Sequence, residues 1–445
     1  MALIVSSALP SCASTNRNRA WVSRSLSKRT GFSIAKRDAG YRIPKGVQLS
    51  DGLDENEAVA IALYRSPRYR AELEKLGIAH GDLEDASRID NPRFGILGPV
   101  GVIAGWATLA APLDSLIQMP SRTEAASREI ERVAEALLQS GLDLARDARL
   151  AHIERMLAEK RLTIRQELAS TAADIARIVE LRAAAGDVSP ADPLSAHAEA
   201  AIAEDTAAVA KRDIAISAAR LATILGFDPD RVSLKMHFGS SLPKSAPPLE
   251  DLLAIARKAR PDLLAAKLNI EAAAARAGIE RARIVSISAQ IDGQWNAQNN
   301  KVGTRIGANL MLPIFNQNQG GRERADAGIE QARHEYIAAR QRVISEVIVS
   351  NSALKQALAS LERYRVEVLP ALEQNLHAAK LSYELGDQPY LVVLDALRRL
   401  GEARIREVEL VAEARRAHAE LERTVGARLK SNKAAASMAK ETSTS

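Results

Sequence analysis

The sequence has very few cysteines and aromatic residues, and both shortages limit what the protein can be. Cys12 is the single cysteine among 445 residues, so no disulfide can form within the chain. Aromatic residues make up only 3% of the sequence, which is little for the core of a compact mixed domain. The abundant apolar residues are small or aliphatic and are interspersed with Glu and Arg, a composition that indicates long packed helices.

Residue patterns that carry chemistry are also scarce. The seven histidines include no pair at helical metal-ligand spacing, so we expect no metal site. Neither a phosphate-binding loop nor a dinucleotide fingerprint occurs. The net charge of +6 comes largely from the first 42 residues, which does not indicate a nucleic-acid-binding surface. We therefore expect that the protein is not an enzyme and that it has neither a cofactor nor a nucleic-acid partner.

Residues 1–49 form a leader and basic linker with three possible interpretations. Cys12 follows a short apolar run at residues 3–9, as at the end of a bacterial lipoprotein signal, which makes it a candidate lipid anchor. The run lacks a preceding basic segment, and Pro10 is unusual in that position. A Ser- and Arg-rich organelle transit peptide, or a disordered tail with an idle cysteine, remain as alternatives.

The chain contains an internal duplication with a period near 200 residues. LATILG at 221–226 stands 200 positions before LERTVG at 421–426, and Gly186-Asp187 has the same offset from Gly386-Asp387. A period of this size indicates a doubled unit, with copies at 50–240 and 241–430. A Pro-rich linker separates them, and 431–445 reads as a disordered tail.

The residue pattern predicts the same order of elements in each copy: a shorter helix, a β segment, a very long helix and a return helix. The expected ranges are 122–186 and 190–226 in the first copy, and 250–282, 322–386 and 390–426 in the second. Val347, Leu354, Leu361 and Val368 recur at seven-residue steps, which indicates a coiled-coil seam. The long helices would each span about 95 Å, and Pro370 predicts a local break.

Alternating residues predict β-hairpins between the shorter and long helices. Residues 284–315 alternate apolar and polar side chains on both sides of an Asn- and Gly-rich turn. The corresponding segment of copy one, 93–118, includes an uncharged stretch at 94–113 whose length would also allow a membrane helix, although its glycines and prolines argue against one. Trp106 and Trp295 are the candidates for an aromatic girdle at a membrane surface.

Strands with one apolar and one polar face suit a transmembrane barrel, but four strands per chain are too few to enclose water. Open sheet edges are not tolerated in lipid, so the chain must oligomerise. Three copies would supply twelve strands.

The residues at several positions resemble the TolC-like outer-membrane efflux proteins over nearly all of 50–430. The resemblance rests on ALYRSP (62–67), ARKARP (256–261), Asn91-Pro92, LPIFNQNQGGR (312–322) and YELGDQPYLVVLDALRRL (383–400) in this order. It implies a mainly α protein with a β membrane barrel, in which duplicated coiled-coil helices form a trimeric α-barrel. Four strands per protomer would contribute to a 12-stranded barrel.

The same resemblance implies partners and a place of action. The homotrimer would contact outer-membrane lipid, cross the periplasm and meet an adaptor protein and an inner-membrane pump. Small molecules or ions would be exported through it. The alternative from another class is a periplasmic coiled-coil adaptor or scaffold without a membrane barrel.

In that family the helix-to-helix turns form the periplasmic mouth. They correspond here to Gly186-Asp187 and Gly386-Asp387, with Tyr383 and Asp395 beside the second turn. Carboxylates from three copies would surround the mouth, and acidic rings favour cations. The simpler interpretation is that each Gly only ends a helix and each Asp precedes the next.

Overall fold

The protein is described by a computed structural model that covers residues 16–98, 103–232, 234–237, 242–284, 286–296 and 301–429. Within these residues the leader forms α1 (Arg19–Thr30), and the first copy forms α2 (Glu55–Arg65), α3 (Pro67–Ala86), β1 (Arg93–Leu97), β2 (Ile103–Pro112), α4 (Asp114–Ala184) and α5 (Ala191–Leu225). The second copy forms α6 (Leu249–Ala259), α7 (Pro261–Ala282), β3 (Ser286–Asn296), β4 (Lys301–Met311), α8 (Gln319–Arg363), a π-helical turn (Tyr364–Val368), α9 (Leu369–Glu384) and α10 (Tyr390–Val425). Cys12 and the tail at 431–445 lie outside the described residues.

The chain packs into two compact units, and each unit takes segments from both sequence repeats. The sheet unit comprises the described residues within 1–22, 71–139 and 261–342. The tip unit comprises the described residues within 23–70, 140–260 and 343–445. Neither repeat therefore corresponds to one compact unit, because both copies contribute segments to each unit.

The sheet unit contains one antiparallel sheet with the strand order β1-β2-β3-β4. β1 pairs with β2 from Arg93 opposite Ala110 to Leu97 opposite Trp106. β3 pairs with β4 over their whole length, and β2 joins the two hairpins by pairing with β3. The two duplicated hairpins thus form one continuous surface, with β1 and β4 at its edges.

The first hairpin is shorter than the expected range 93–118. β2 ends at Pro112, and α4 already begins at Asp114, eight residues before the expected start at 122. The carboxylate of Asp114 accepts a hydrogen bond from the N–H of Ser115 at 3.0 Å, and the Ser115 hydroxyl donates to the carbonyl of Pro112 at 2.9 Å. These local bonds satisfy backbone groups at the helix start, so the chain turns into the helix directly.

Both of the shorter helices are broken before a proline, so the expected single helix at 250–282 is two helices. Ser66 and Arg260 precede Pro67 and Pro261, and their ψ angles of 117° and 116° lie outside the helical region. A proline ring excludes the helical conformation from the residue before it, which explains the break in both copies. At the break in the second copy, the buried Arg260 side chain donates to the carbonyl of Thr424 at 3.1 Å.

The core of the tip unit includes a seam between α6, α8 and α10. Leu252, Val343, Val347, Leu354, Leu421 and Val425 are buried there. The predicted heptad positions Val347, Leu354 and Leu361 are all buried. The next predicted position, Val368, is only partly buried, because the π-helical turn lies between it and Leu361.

The N-terminal leader is structured from α1 onward. Leu26 is fully buried in the tip unit, and a Cβ added at Gly141 would stand 2.8 Å from it. The Arg29 side chain donates to the carbonyl of Ala259 at 3.2 Å, and the N–H of Arg428 donates to the carbonyl of Arg29 at 3.0 Å. Residues 1–49 were expected to be a leader and basic linker. They include a packed helix, α1, that the sequence pattern did not predict.

Candidate functional site

The first helix-to-helix turn, between α4 and α5, ends its helix with a left-handed glycine. Gly186 has φ = 84°, and its N–H donates to the carbonyl of Ala183 at 3.0 Å. The N–H of Asp187 donates to the carbonyl of Arg182 at 2.9 Å. These bonds satisfy carbonyls that the end of a helix leaves free. Asp187 projects from this turn and is exposed.

The second turn, between α9 and α10, repeats this geometry. Gly386 has φ = 83°, its N–H donates to the carbonyl of Tyr383 at 3.1 Å, and the N–H of Asp387 donates to that of Ser382 at 2.9 Å. Asp387 is also exposed. The glycines therefore do act as helix ends, and the same geometry leaves both carboxylates in solvent, so the two interpretations of the Gly-Asp pairs are compatible.

Tyr383 lies beneath the turns and not in solvent. Its ring is buried, makes an edge contact with Tyr390 at 6.4 Å between centroids, and carries the Arg182 guanidinium at 4.6 Å from its own centroid. Arg182 also donates to the carbonyl of Tyr383 at 2.7 Å. Burial, followed by the nearby charge of Glu199, raises the pKa of Tyr390. Arg182 thus holds the two turns together.

Asp395 does not join the Asp387 carboxylate. It lies on the second turn of α10, is exposed, and pairs with Arg399 one helical turn further on at 2.8 Å. Sequence reasoning missed Arg182, which stands 200 positions before Ser382 and therefore has no counterpart in the second copy.

The sheet presents two chemically different faces. Side chains alternate between faces, so the strand register assigns each residue to one of them. The apolar face carries Phe94, Ile96, Ala107, Leu109, Ala111, Ile287, Ala289, Ile291, Trp295, Val302, Ile306, Ala308 and Leu310. Ile306 on this face is 83% exposed and Phe94 is 66% exposed, which is far more than a soluble sheet leaves uncovered.

The opposite face is polar and hydrogen-bonded. The carboxylate of Asp292 accepts bonds from the Thr108 hydroxyl at 2.8 Å, the Gln290 amide at 2.7 Å and the indole N–H of Trp106 at 3.4 Å. The Arg305 guanidinium lies 5.2 Å from the centroid of the Trp106 ring. Trp106, expected in an aromatic girdle, therefore lies on the polar face, because it is an even number of residues from Thr108. Trp295 lies on the apolar face.

The tip unit also contains a buried ionic cluster. Arg149 is bonded to Glu422 and lies 3.7 Å from Glu55, which also pairs with Arg415 at 3.2 Å. His152 adjoins this cluster, with Nε2 2.9 Å from the carbonyl of Leu53. Burial lowers the pKa of His152, and the Leu53 carbonyl and the Glu55 charge only partly oppose it.

The described residues contain no group of three or more His, Cys, Asp and Glu residues that could hold a metal ion. In the same part of the chain, no helix combines the length and the apolar character that crossing a membrane requires.

Comparison with known proteins shows which family and which protein this chain resembles. The sequence model of the outer membrane efflux protein family matches residues 252–427. The chain is 26% identical over 402 residues to the cobalt-zinc-cadmium resistance protein CzcC of Cupriavidus metallidurans, an alignment covering 89% of this chain and 96% of that protein.

Solved structures with the same fold include two bacterial membrane proteins. A membrane protein from Pseudomonas aeruginosa matches with a TM-score of 0.74 and 19% identity, over 86% of this chain and 96% of its own. The outer membrane protein VceC of Vibrio cholerae matches with a TM-score of 0.70 and 21% identity, over 84% and 97%. The mainly helical fold with four strands per protomer, predicted from the sequence, is thereby confirmed.

Proposed function

Because this chain belongs to the outer membrane efflux protein family, we propose that three copies of it close a barrel in the outer membrane with a cation-favouring mouth at the helical turns. The chain is an outer-membrane efflux channel protein, and channels of this family work as trimers with an adaptor and an inner-membrane pump. The alternative of a coiled-coil adaptor without a barrel is not favoured. The family consists of channel proteins, from which we infer that the chain is not an enzyme.

The observation that carries the proposal is the two-faced sheet with open edges. Its apolar face fits hydrocarbon, and its polar face, built around Asp292 and Arg305, fits water. In the described residues β1 pairs only with β2, and β4 pairs only with β3. Backbone groups at these edges need partners within lipid, and further copies of the sheet supply them.

The mouth of the channel is assigned to the turns that carry Asp187 and Asp387. Both carboxylates are exposed, and in a trimer they provide six negative charges. A purified trimer in a planar lipid bilayer tests this assignment. Replacing both residues by Asn should lower the cation-to-anion permeability ratio, because the charges that attract cations are lost.

Asp395→Asn is the matched control for this measurement. Asp395 is an exposed acid of the same unit but is paired with Arg399, so its loss should leave the ratio nearly unchanged. Equal permeability ratios for the parent and for the Asp187→Asn/Asp387→Asn protein would contradict the proposed mouth. A chain that gives no conductance and stays soluble without detergent would contradict the channel itself.

The cargo class that we propose is divalent transition-metal cations. Support comes from the name of the cobalt-zinc-cadmium resistance relative and from the acidic turns. Deleting the gene should make the host more sensitive to Co²⁺, Zn²⁺ or Cd²⁺, and the intact chain should restore growth. Sensitivity to organic dyes or detergents alone would contradict this assignment and leave the channel function standing.

A further inference from the structure

The loop that follows α1 carries a concentration of positive charge that the channel function does not use. Residues 36–45 read KRDAGYRIPK, with four basic side chains and one acid, Asp38. Lys36, Arg42 and Lys45 are exposed, and in the described part of the chain none of the three pairs with a carboxylate. This segment, the basic loop, therefore presents mainly positive charge to solvent.

Two arginines of the neighbouring helices hold the basic loop in place. Arg65, the last residue of α2, donates to the carbonyl of Tyr41, and Arg70 of α3 donates to the carbonyl of Gly40. The Arg70 guanidinium also lies 4.6 Å from the centroid of the Tyr41 ring. Because Gly40 and Tyr41 are consecutive residues, the two guanidinium groups lie close together at the base of the loop.

The two guanidinium groups have no carboxylate to balance them. Among the described residues, the hydrogen bonds of Arg65 and Arg70 all go to backbone carbonyls, and neither side chain forms an ion pair. Burial, followed by the charge of Arg70, lowers the pKa of Arg65. Neighbouring cations repel each other, and an anion bound beside both would offset this repulsion.

The second copy shows that the helix packing does not require a charge at Arg65. When the prolines at the start of α3 and α7 are aligned, Ala259 takes the place of Arg65. Leu264 likewise takes the place of Arg70. A Cβ added at the glycine that ends the return helix would meet the Arg65 carbonyl at 3.0 Å in the first copy and the Ala259 carbonyl at 3.3 Å in the second. The same close approach forms with alanine, so it does not account for the arginine side chain.

The location and chemistry of this surface indicate which anion it binds. In channels of this family the helical barrel lies in the periplasm, and the basic loop belongs to the tip unit, which does not contain the sheet. The charges are spread along an exposed segment, which suits a polymer with repeated anionic groups. Arginine guanidinium groups match the geometry of carboxylates. The Tyr41 side chain is 54% exposed and offers an aromatic surface to a sugar ring.

We propose that the basic loop, together with Arg65 and Arg70, binds peptidoglycan through the carboxylates of its peptide stems and so attaches the channel to the cell wall. Peptidoglycan repeats sugars and carboxylate-bearing peptides, so several of these side chains engage one strand. In a trimer three basic loops act together, which strengthens a contact that is weak for one copy. The inference goes beyond export and rests only on the periplasmic location of the tip unit.

Co-sedimentation with purified peptidoglycan sacculi tests the proposal. The detergent-extracted protein should pellet with the sacculi. Lys36→Gln/Arg42→Gln/Lys45→Gln should bind about tenfold more weakly, because three contacts between opposite charges are lost. The parent should bind equally weakly to sacculi whose carboxyl groups have been converted to neutral amides.

Lys211→Gln/Lys258→Gln/Lys355→Gln is the matched control. These lysines are exposed in the same unit, on α5, α6 and α8, so the variant loses the same charge from other surfaces. It should bind sacculi nearly as tightly as the parent.

Arg65→Gln/Arg70→Gln tests the base of the loop separately. Glutamine keeps an N–H that can donate to the carbonyls of Gly40 and Tyr41 but carries no charge. Binding to sacculi should fall in this variant as it does in the variant of the basic loop. Undiminished binding would contradict the part assigned to the two arginines.

The outcomes that would overturn the proposal are distinct. Equal losses in the two triple variants would mean that the attraction is not specific to the basic loop. Undiminished binding to amidated sacculi would mean that carboxylates are not recognised. Protein in nanodiscs of neutral lipid that binds phosphatidylglycerol vesicles through the basic loop, but does not bind sacculi, would assign the surface to anionic lipid.

Conductance in a planar bilayer separates this inference from the channel function. The variant of the basic loop should conduct like the parent, because the loop is not part of the proposed mouth. A parent protein that conducts but does not bind sacculi would overturn the peptidoglycan contact and leave the channel standing. A parent protein that binds sacculi but does not conduct would contradict the channel and leave the contact standing.

Discussion

Single glycines set the shape of both turns, and their effect comes from backbone conformation and not from crowding. An added Cβ at Gly186 would meet nothing within 4 Å, and at Gly386 only the Arg182 side chain at 4.0 Å. Both have φ above 80°, where a side chain is strained whatever the space around it.

Gly386→Ala should therefore destabilise the protein by about 1–2 kcal/mol, the cost of holding a residue with a Cβ in the left-handed region. The thermal unfolding midpoint of the detergent-extracted protein measures the effect. Gly328→Ala is the control, because Gly328 lies inside α8 with open space around it, and there Ala should add up to about 1 kcal/mol of stability. A midpoint for Gly386→Ala equal to that of Gly328→Ala would contradict the argument.

Among the buried groups, His152 makes the stability of the tip unit depend on pH. Its Nδ1 has no hydrogen-bond partner among the described residues, and Glu55, Asp54 and Arg415 are the charges around it. Burial lowers its pKa in the folded state, so the unfolded chain binds a proton at a higher pH than the folded chain does. Its contribution to stability is complete above pH about 6.5 and is lost as the pH falls toward the lowered value.

The unfolding midpoint should accordingly fall as the pH drops from 7.5 to 5, and it should fall less in His152→Gln, which cannot take up the proton. His377→Gln is the control, because His377 is exposed on α9 and outside this cluster. If the parent and His152→Gln lose the same stability over this range, the protonation of His152 is not responsible.

Some residues of the candidate site could be predicted from the sequence, and others could not. Gly186, Asp187, Gly386 and Asp387 were predictable, because a repeated Gly-Asp pair between two helical patterns marks a turn. The role of Arg182 was not, because its partner, Tyr383, is 201 positions away and meets it only after the helices have packed. The face occupied by Trp106 was not predictable for a different reason. The segment that forms the first hairpin alternates poorly, and the face of each β2 residue became readable only from the pairing of β2 with β3.

At the scale of elements, the π-helical turn explains why the heptad pattern loses its register. The N–H of Leu369 bonds to the carbonyl of Tyr364, five residues back, so this turn contains one residue more than an α-helical turn. Pro370 has no N–H to continue the α-helical ladder, and its ring crowds the carbonyl four residues back. The seam passes from Leu361 to Leu369, Leu376 and Tyr383, a step of eight followed by steps of seven.

The π-helical turn should therefore be removable without disturbing the seam. Deleting Val366 in a Pro370→Ala background takes out the extra residue and the proline that disfavours an α-helix. We expect the unfolding midpoint to differ from that of the parent by no more than a destabilisation of about 1 kcal/mol would produce. The reason is that Leu376, Ala379 and Tyr383 keep their places in the core.

Deleting Lys355 in the same Pro370→Ala background is the matched control. Lys355 is exposed, but its loss rotates Ala357 and Leu361 out of the seam before the π-helical turn can compensate. Burying them less well should cost about 2–5 kcal/mol. Equal stability of the two deletion variants would contradict the view that the turn absorbs one extra residue.

Element boundaries were predictable where the sequence marks the cause locally. Gly226 and Gly426 both have φ = 75° and end the return helices at the positions that the duplication indicates. The breaks before Pro67 and Pro261 were not predicted, because an apolar pattern continues across the ALYRSP and ARKARP segments that contain the two prolines. The π-helical turn was not predictable in form, since a proline signals a disturbance but does not specify how the helix accommodates it.

For the whole molecule, the two faces of the sheet decide which surroundings it can occupy. On the edge strand β4, Ile306 and Asn309 lie on opposite faces, three residues apart. If the apolar face contacts lipid, a charge at Ile306 must enter hydrocarbon, which costs about 2–4 kcal/mol near the middle of a membrane barrel. A charge at Asn309 remains in the water-filled interior.

Ile306→Lys should consequently reduce the amount of trimer recovered from outer membranes, whereas Asn309→Lys should leave it close to the parent level. Asn309→Lys is the stricter control, because it also removes the bond from the Asn309 amide to Gln290 at 2.6 Å. Quantitative blotting of washed membranes, before and after heating, measures both the membrane-inserted and the trimeric fraction. A larger loss for Asn309→Lys than for Ile306→Lys would mean that the polar face meets lipid, and the orientation assigned to the sheet would have to be reversed.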